Sequence, residues 1–193
     1  MISTLKTTTH PSLQTYSSEY FTQDFVQKTS GVDIRHAVIQ DIENIHQLFT
    51  DPQLFYWTAE LPVSSITTTQ KRFAASTDDQ YRFVACADQE IIGLIDLTVY
   101  SASRLHHAAR IGSVIVRSDW QKRGVGAQLI KTVVDLADQW LNLVRLELLV
   151  YADDIAAIEL YRNYSFQEEG ILRRFAFRAG SYADGLLMAR INE

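Results

Sequence analysis

The apolar positions of this chain fall into short alternating runs and longer runs of helical period, and their order predicts most of its elements. Residues 32–38 read as a strand. Asp41 then starts a helix that carries Ile42, Ile45, Leu48 and Phe49 on one face. Pro52 and Pro62 bracket an aromatic loop, Phe55-Tyr56-Trp57, and a second helix is expected over residues 64–75. Two strands, 81–87 and 90–100, flank a turn at Asp88-Gln89. A strand over 108–116 precedes a long helix with Leu129, Ile130, Val133, Val134 and Ala137 on its apolar side, ending near residue 140. In the strand 144–151, Arg145, Glu147 and Leu149 share one face, and Leu146, Leu148 and Val150 the other. A helix over 154–164 and a hairpin broken near Ala179-Gly180 close the order. Strands and helices that alternate in this way predict an α/β fold with a mixed sheet. Residues 1–30 are rich in Ser and Thr and lack a period. They read as a polar, partly mobile extension before a domain spanning 31–193.

The most informative stretch joins the strand at 111–116 to the long helix: Trp120-Gln121-Lys122-Arg123-Gly124-Val125-Gly126-Ala127. The first turn of a helix has N–H groups without intrahelical partners, and the macrodipole adds partial positive charge there. Glycines let backbone approach a ligand that side chains would hold off. Lys122 and Arg123 add mobile positive charge. The loop is therefore a candidate cradle for a phosphate or pyrophosphate, although Gly-x-Gly alone also describes a plain tight turn. A Walker loop is excluded, because Gly126 is followed by Ala127-Gln128. A dinucleotide fingerprint is excluded too, because Leu129 stands where its third glycine would be.

What remains is Gln121-x-x-Gly124-x-Gly126, which resembles the acyl-CoA pyrophosphate loop of the GNAT superfamily of N-acetyltransferases. Downstream, residues 150–166 with Leu160-Tyr161 and Tyr164-Ser165-Phe166 resemble the strand–helix segment of that family. The hairpin with Phe175-Ala176-Phe177-Arg178 and Ser181-Tyr182-Ala183-Asp184 resembles a bacterial L-amino-acid N-acetyltransferase branch, as does the Pro52, Tyr56, Leu61-Pro62 loop. The resemblance runs from about residue 32 to the end. It implies a mixed, mostly antiparallel central sheet flanked by helices, with strands splayed at the acyl-CoA site. It also implies acetyl-CoA as cosubstrate and a small-molecule amine as acceptor, most naturally the α-amine of a free L-amino acid. Protein N-terminal or polyamine acetylation and non-catalytic acyl-CoA binding are the alternatives. The chain departs from the family at Asp154, usually Asn, and at Ser165, usually Gly. Asp154 can accept a hydrogen bond and start a helix, but it donates nothing.

On the same resemblance the cofactor-binding residues are Ile115, Val116, Gln121, Lys122, Arg123, Gly124, Val125, Gly126, Ala127, Asp154 and Tyr161. The strand at Ile115-Val116 would offer backbone groups to the pantetheine arm. Tyr161 is the candidate general acid for the leaving thiolate, since a phenol near pKa 10 is protonated at neutral pH and a thiol titrates near 8.5. Simple ring packing in the core is the other reading of Tyr161. Phe55, Tyr56 and Trp57 are candidate walls for an apolar acceptor side chain, and Tyr182 and Asp184 on the closing hairpin are candidate acceptor contacts. Arg178 is either a carboxylate partner or an exposed turn charge. No base stands out among Asp96, Glu147, His106, His107 and Asp184.

Composition narrows the classes further. At 193 residues with 47% apolar and 21% charged positions, the chain is one ordinary globular domain. A net charge of −5 lacks the basic footprint of a nucleic-acid binder. The single cysteine, Cys86, excludes an internal disulfide framework and sits in a strand pattern rather than at a nucleophile's place. No run approaches the ~18 apolar residues of a membrane span, and no signal pattern opens the chain, so a cytoplasmic, metal-free enzyme is expected. A homodimer through an edge strand stays open.

Overall fold

The computed structural model describes residues 31–61, 63–75 and 77–192. The expectations for residues 1–30 and for Pro62 lie outside that range. The described elements are β1 (Asp33–His36), α1 (Ile42–Thr50), α2 (Ile66–Ala74), β2 (Gln80–Ala87), β3 (Glu90–Val99), β4 (Ala108–Ile111), β5 (Ile115–Val116), α3 (Val125–Gln139), β6 (Arg145–Tyr151), α4 (Ile155–Arg162), β7 (Gln167–Arg178) and β8 (Ser181–Ile191). Single 3-10 turns precede α1 and α3 and carry Phe55–Trp57. Eight strands form one sheet in the order β1-β2-β3-β4-β6-β8-β7, with β5 attached to β3. All pairings are antiparallel except β4 with β6. This is the mixed, mostly antiparallel sheet that the resemblance implied.

Alternation along the strands sends apolar side chains to two faces, and helices cover both. On one face α3 and α4 bury Leu129, Ile130, Val133, Leu136 and Ile158 against Ile95, Leu97, Leu146 and Leu148. On the other, α1 buries Ile45, Leu48 and Phe49 against Val84, Ile91 and Leu94. Truncating a fully enclosed side chain such as Leu129 to Ala would cost about 2–5 kcal/mol.

One element differs from its expected form in a way that matters. The strand expected over 108–116 is two strands interrupted at Gly112-Ser113-Val114. Its first piece runs parallel to β6, from Ala108↔Arg145 to Ile111↔Leu148. Its second piece pairs only with β3, through Gly93↔Val116 and Leu94↔Ile115, while β6 continues beside β8 up to Tyr151↔Gly185. The sheet therefore splits between β5 and the C-terminal half of β6. Gly112 marks the break: its N–H donates to Asp96 O at 2.8 Å, and a Cβ there would lie 3.2 Å from Asp96 Cβ. Ser165, where the family has Gly, holds a left-handed φ of +65°. A side chain in that conformation costs about 1–2 kcal/mol.

Candidate active site

The split in the sheet opens a cleft with two arms. The first arm, about 450 Å3, is lined by Val114, Ile115, Val116, Gln121, Lys122, Gly124, Gly126, Ala127, Asp154, Ala157, Leu160 and Tyr161, among others. Gly124 is the N-cap of α3 at φ +84°, a left-handed conformation that suits glycine. The first α-helical bond of α3 runs from Gln128 N to Gly124 O at 3.0 Å, which leaves the N–H groups of Val125, Gly126 and Ala127 without intrahelical partners. Lys122 also holds a positive φ of +58°, which curls the loop back toward the helix end. Backbone donors, helix dipole and a lysine thus converge on one end of the arm. Gly126 has a packing role as well, since a Cβ there would lie 3.1 Å from Leu160 Cδ2 and 3.8 Å from Val116 Cγ2. It lets α3 approach α4 and β5 closely.

The two arms meet at Val114, Ile115, Asp154, Ala157 and Tyr161, with Trp57 and Thr58 bordering both. Val114 makes no backbone hydrogen bond with a described residue, so one donor and one acceptor are left for a ligand at the junction. Tyr161 is buried on α4 with its ring edge-on to Phe166 at 6.0 Å. Its hydroxyl has no hydrogen-bond partner among the described residues. Burial, with help from the Asp154 charge, pushes the phenol above its ordinary value. The group therefore stays a donor throughout the neutral range. Full proton transfer to a thiolate near pKa 8.5 is more uphill than the bare sequence suggested, and hydrogen-bond donation is what the environment favours. Asp154 Oδ1 accepts from Ala157 N at 3.1 Å and caps α4, and burial pushes its carboxyl up from the usual range.

The second arm, about 260 Å3, opens on the α1 side of the sheet. Phe49, Trp57, Leu149, Tyr151 and Phe175 give it apolar walls, and Glu60 and Arg110 lie at its edges. Glu60 is already paired with Arg72 Nη2 at 2.5 Å. Phe175 can lie flat against the sheet only because position 185 is glycine, where a Cβ would come within 2.9 Å of its ring. Arg178 is sandwiched behind this wall, with its guanidinium carbon 4.1 Å from the Tyr56 ring centroid, 4.3 Å from Tyr151 and 5.0 Å from Trp57. It also donates to Asp153. Tyr151 completes the tie by donating to Thr58 O at 3.1 Å. Three segments distant in sequence, 56–58, 151–153 and the end of β7, are held together around one cation.

Of the residues expected on the cofactor side, Ile115, Val116, Gln121, Lys122, Gly124, Gly126, Ala127, Asp154 and Tyr161 line the cleft. Arg123 does not: its guanidinium stacks on Trp120 at 5.0 Å. The Val125 side chain is core, so only its N–H is available. Gln121 spends its amide on Val116 O at 3.1 Å. On the acceptor side Trp57 lines both arms, but Phe55 and Tyr56 line neither. Tyr56 instead packs on Arg178 and edge-on against Trp57. Tyr182 and Asp184 also lie outside the cleft. Tyr182 is exposed and stacks with Phe177, and Asp184 Oδ1 accepts from the N–H of Arg174 at 2.8 Å, a bulge residue with φ +54°. Alternation along β8 directs them away from the opening. Arg178 pairs with a carboxylate, that of Asp153, which is one of its two expected roles, and it is enclosed by aromatic rings rather than exposed.

None of the five candidate bases lines the cleft. Asp96 pairs with buried Arg82 at 2.6 Å, and Glu147 with Tyr100 and Arg145. Sequence reasoning missed Thr58, Arg110, Leu149, Tyr151 and Phe175. Thr58 lies in the loop after Trp57, and the other four lie on β4, β6 and β7, where their placement together needs the sheet order before it means anything. Among the described residues no cluster of His, Cys, Asp and Glu could hold a metal, and no helix is long and apolar enough to cross a membrane.

Comparison with known proteins agrees with this geometry. The model of the acetyltransferase (GNAT) family matches residues 42–166. The L-amino acid N-acetyltransferase AaaT of Escherichia coli (strain K12) is 35% identical over 162 residues, 84% of this chain and 99% of that protein. The spermidine N(1)-acetyltransferase of the same organism is 27% identical over 160 residues, 82% of this chain and 84% of that one. A crystal structure of spermidine N-acetyltransferase from Vibrio cholerae in complex with CoA and spermine superposes with a TM-score of 0.74 at 26% identity, covering 84% of this chain and 96% of the other.

Proposed function

The chain belongs to the GNAT family of acetyltransferases, which use acetyl-CoA as cosubstrate, and from that premise we propose that it acetylates the α-amine of a free L-amino acid with an apolar side chain. The observation that carries the reading is the two-armed cleft. One arm ends in free main-chain amides, the other is walled by aromatic and aliphatic side chains, and Tyr161 lines both. The name of the 35% identical relative supports an amino-acid acceptor.

When bound, acetyl-CoA supplies an activated acetyl thioester. The amides of Val125, Gly126 and Ala127, with Lys122, hold the pyrophosphate, and Val114 and Ile115 fix the acyl arm at the split. Phe49, Trp57, Leu149 and Phe175 enclose the acceptor side chain, so its neutral amine faces the carbonyl carbon. Nitrogen attacks, the carbon–sulfur bond breaks, and Tyr161 donates its hydrogen bond to the departing sulfur. The amine proton leaves to water, since the carboxylate at the junction, Asp154, is engaged in capping α4. Orienting two reactants in this way supplies on the order of 7–11 kcal/mol of the barrier reduction, which is why so few acid–base groups suffice.

Thiol release from acetyl-CoA with L-Phe, L-Met, spermidine and a peptide bearing a free N-terminus tests the reading. The two amino acids should show the highest kcat/KM. A clear preference for spermidine would transfer the chain to the polyamine reading that its 27% identical relative suggests.

A further inference from the structure

We infer that Arg110 is the carboxylate-recognising residue of the acceptor arm and that it selects α-amino acids over amines without an acid group; the inference rests on the amino-acid reading above. Arg110 is the one basic side chain among the residues lining that arm. Its hydrogen bond to Glu147 Oε1 is 3.4 Å long, at the far limit of such a bond, and its charge also bears on the Tyr100 hydroxyl beside that carboxylate. Glu147 does not depend on it, because the Tyr100 hydroxyl donates to the same oxygen and Arg145 Nε to the other at 3.2 Å. Arg145 is in turn anchored by Glu169 through two bonds of 2.8 and 2.5 Å. The neighbouring network is therefore complete without Arg110. A guanidinium has five N–H donors in a fork that matches a carboxylate, and nearly all of this one's are unused. Its side chain is 56% exposed, so a ligand can reach it.

Position on the strand fits the same role. Arg110 lies two residues before Gly112 and so shares its face of the sheet. Glycine at 112 places no side chain between the guanidinium and the junction at Val114. The acids of the arm offer an ammonium little in compensation. Glu60 is paired with Arg72, and Asp154 caps α4. An acceptor with its amine at the junction, its carboxylate on Arg110 and its side chain against Phe49, Leu149 and Phe175 uses the guanidinium and the apolar walls of the arm together. A polyamine would bring a second positive charge toward Arg110.

Paired acceptors test this directly: L-Phe against phenethylamine, which keeps the ring and amine but lacks the carboxylate. Wild type should favour L-Phe by about 10- to 100-fold in kcat/KM, the usual size of a charge-assisted pair at a half-exposed site. Arg110→Gln should raise KM for L-Phe by a similar factor while leaving phenethylamine and the KM for acetyl-CoA unchanged. Arg110→Glu should turn the preference toward phenethylamine and spermidine. If Arg110→Gln keeps the L-Phe advantage, or weakens both acceptors equally, Arg110 does not read the carboxylate, although amino-acid acetylation by wild type would still stand. If wild type turns over spermidine and not L-Phe, the amino-acid reading falls and takes the role of Arg110 with it.

Discussion

The two arms of the cleft are made of different material. The cofactor arm is mostly main chain: an uncapped helix start, a left-handed glycine and a strand edge left free by the split. Eleven consecutive residues, 116–126, supply much of it. The acceptor arm is made of side chains from α1 and the 55–60 loop that follows it, β4, β6 and β7, which are spread along the chain from residue 49 to residue 175. Main-chain recognition is insensitive to most substitutions and fits a group common to every acyl-CoA. Side-chain recognition changes with each residue and suits a variable acceptor. Two enzymes can therefore share the first arm and differ in the second.

Substitutions should separate the arms. Tyr161 serves both, so Tyr161→Phe should give the largest loss, about 100-fold or more in kcat, comparable with removing an oriented donor from a reacting centre. Its affinity for acetyl-CoA should stay within about twofold, because binding rests on the loop. A kcat near wild type would leave Tyr161 as a core ring only. Gly124→Val forces a β-branched residue into φ +84° and should weaken CoA binding by about 10-fold in calorimetry, with the acceptor KM little changed.

Arg178→Leu is the counterpart on the other side. Losing contacts worth about 0.5–2 kcal/mol each loosens Trp57 and Tyr151, so acceptor KM should rise about 3- to 10-fold while acetyl-CoA KM holds. A change confined to acetyl-CoA KM would contradict the assignment of this wall. Gly185→Ala should have a smaller effect of the same kind by displacing Phe175, read as an altered ranking of L-Phe against L-Met. The pH profile is the mildest test. Because burial raises the Tyr161 phenol, its protonated form persists to higher pH than that of a free phenol. Rates should therefore rise as the acceptor amine loses its proton, with no fall before about pH 10. A falling limb near pH 8 would show that the donor is another group.

The same contrast explains what the sequence could disclose. The loop at 121–126 is legible because the residues expected to bind are adjacent and their backbone chemistry follows from glycine and helix geometry alone. Lys122, Gly124, Gly126 and Tyr161 all line the cleft where they were expected. Arg123 looks available as a charge in a basic loop, whereas its guanidinium stacks 5.0 Å from the Trp120 ring and does not line the cleft. The interruption at Gly112 was hidden inside an apolar run from 108 to 116, and only pairing to two different strands reveals it. On the acceptor side, Phe55 and Tyr56 were chosen because aromatic residues cluster there, yet Trp57 alone faces the opening. Arg110 carries no local signal, and Phe175 belongs to the hairpin motif of the resemblance with nothing local to place it at the cleft. Their meaning depends on which strands lie side by side.

The account depends most on main-chain amides at the start of α3 gripping a diphosphate. Parallel calorimetric titrations with CoA and with pantetheine, which lacks the pyrophosphate and nucleotide but keeps the thiol arm, test this most directly. Saturable CoA binding with pantetheine weaker by about 100-fold or more is the predicted result, as several charge-assisted bonds are lost together. Equal affinity for the two, or no measurable binding of CoA to folded protein, would contradict it.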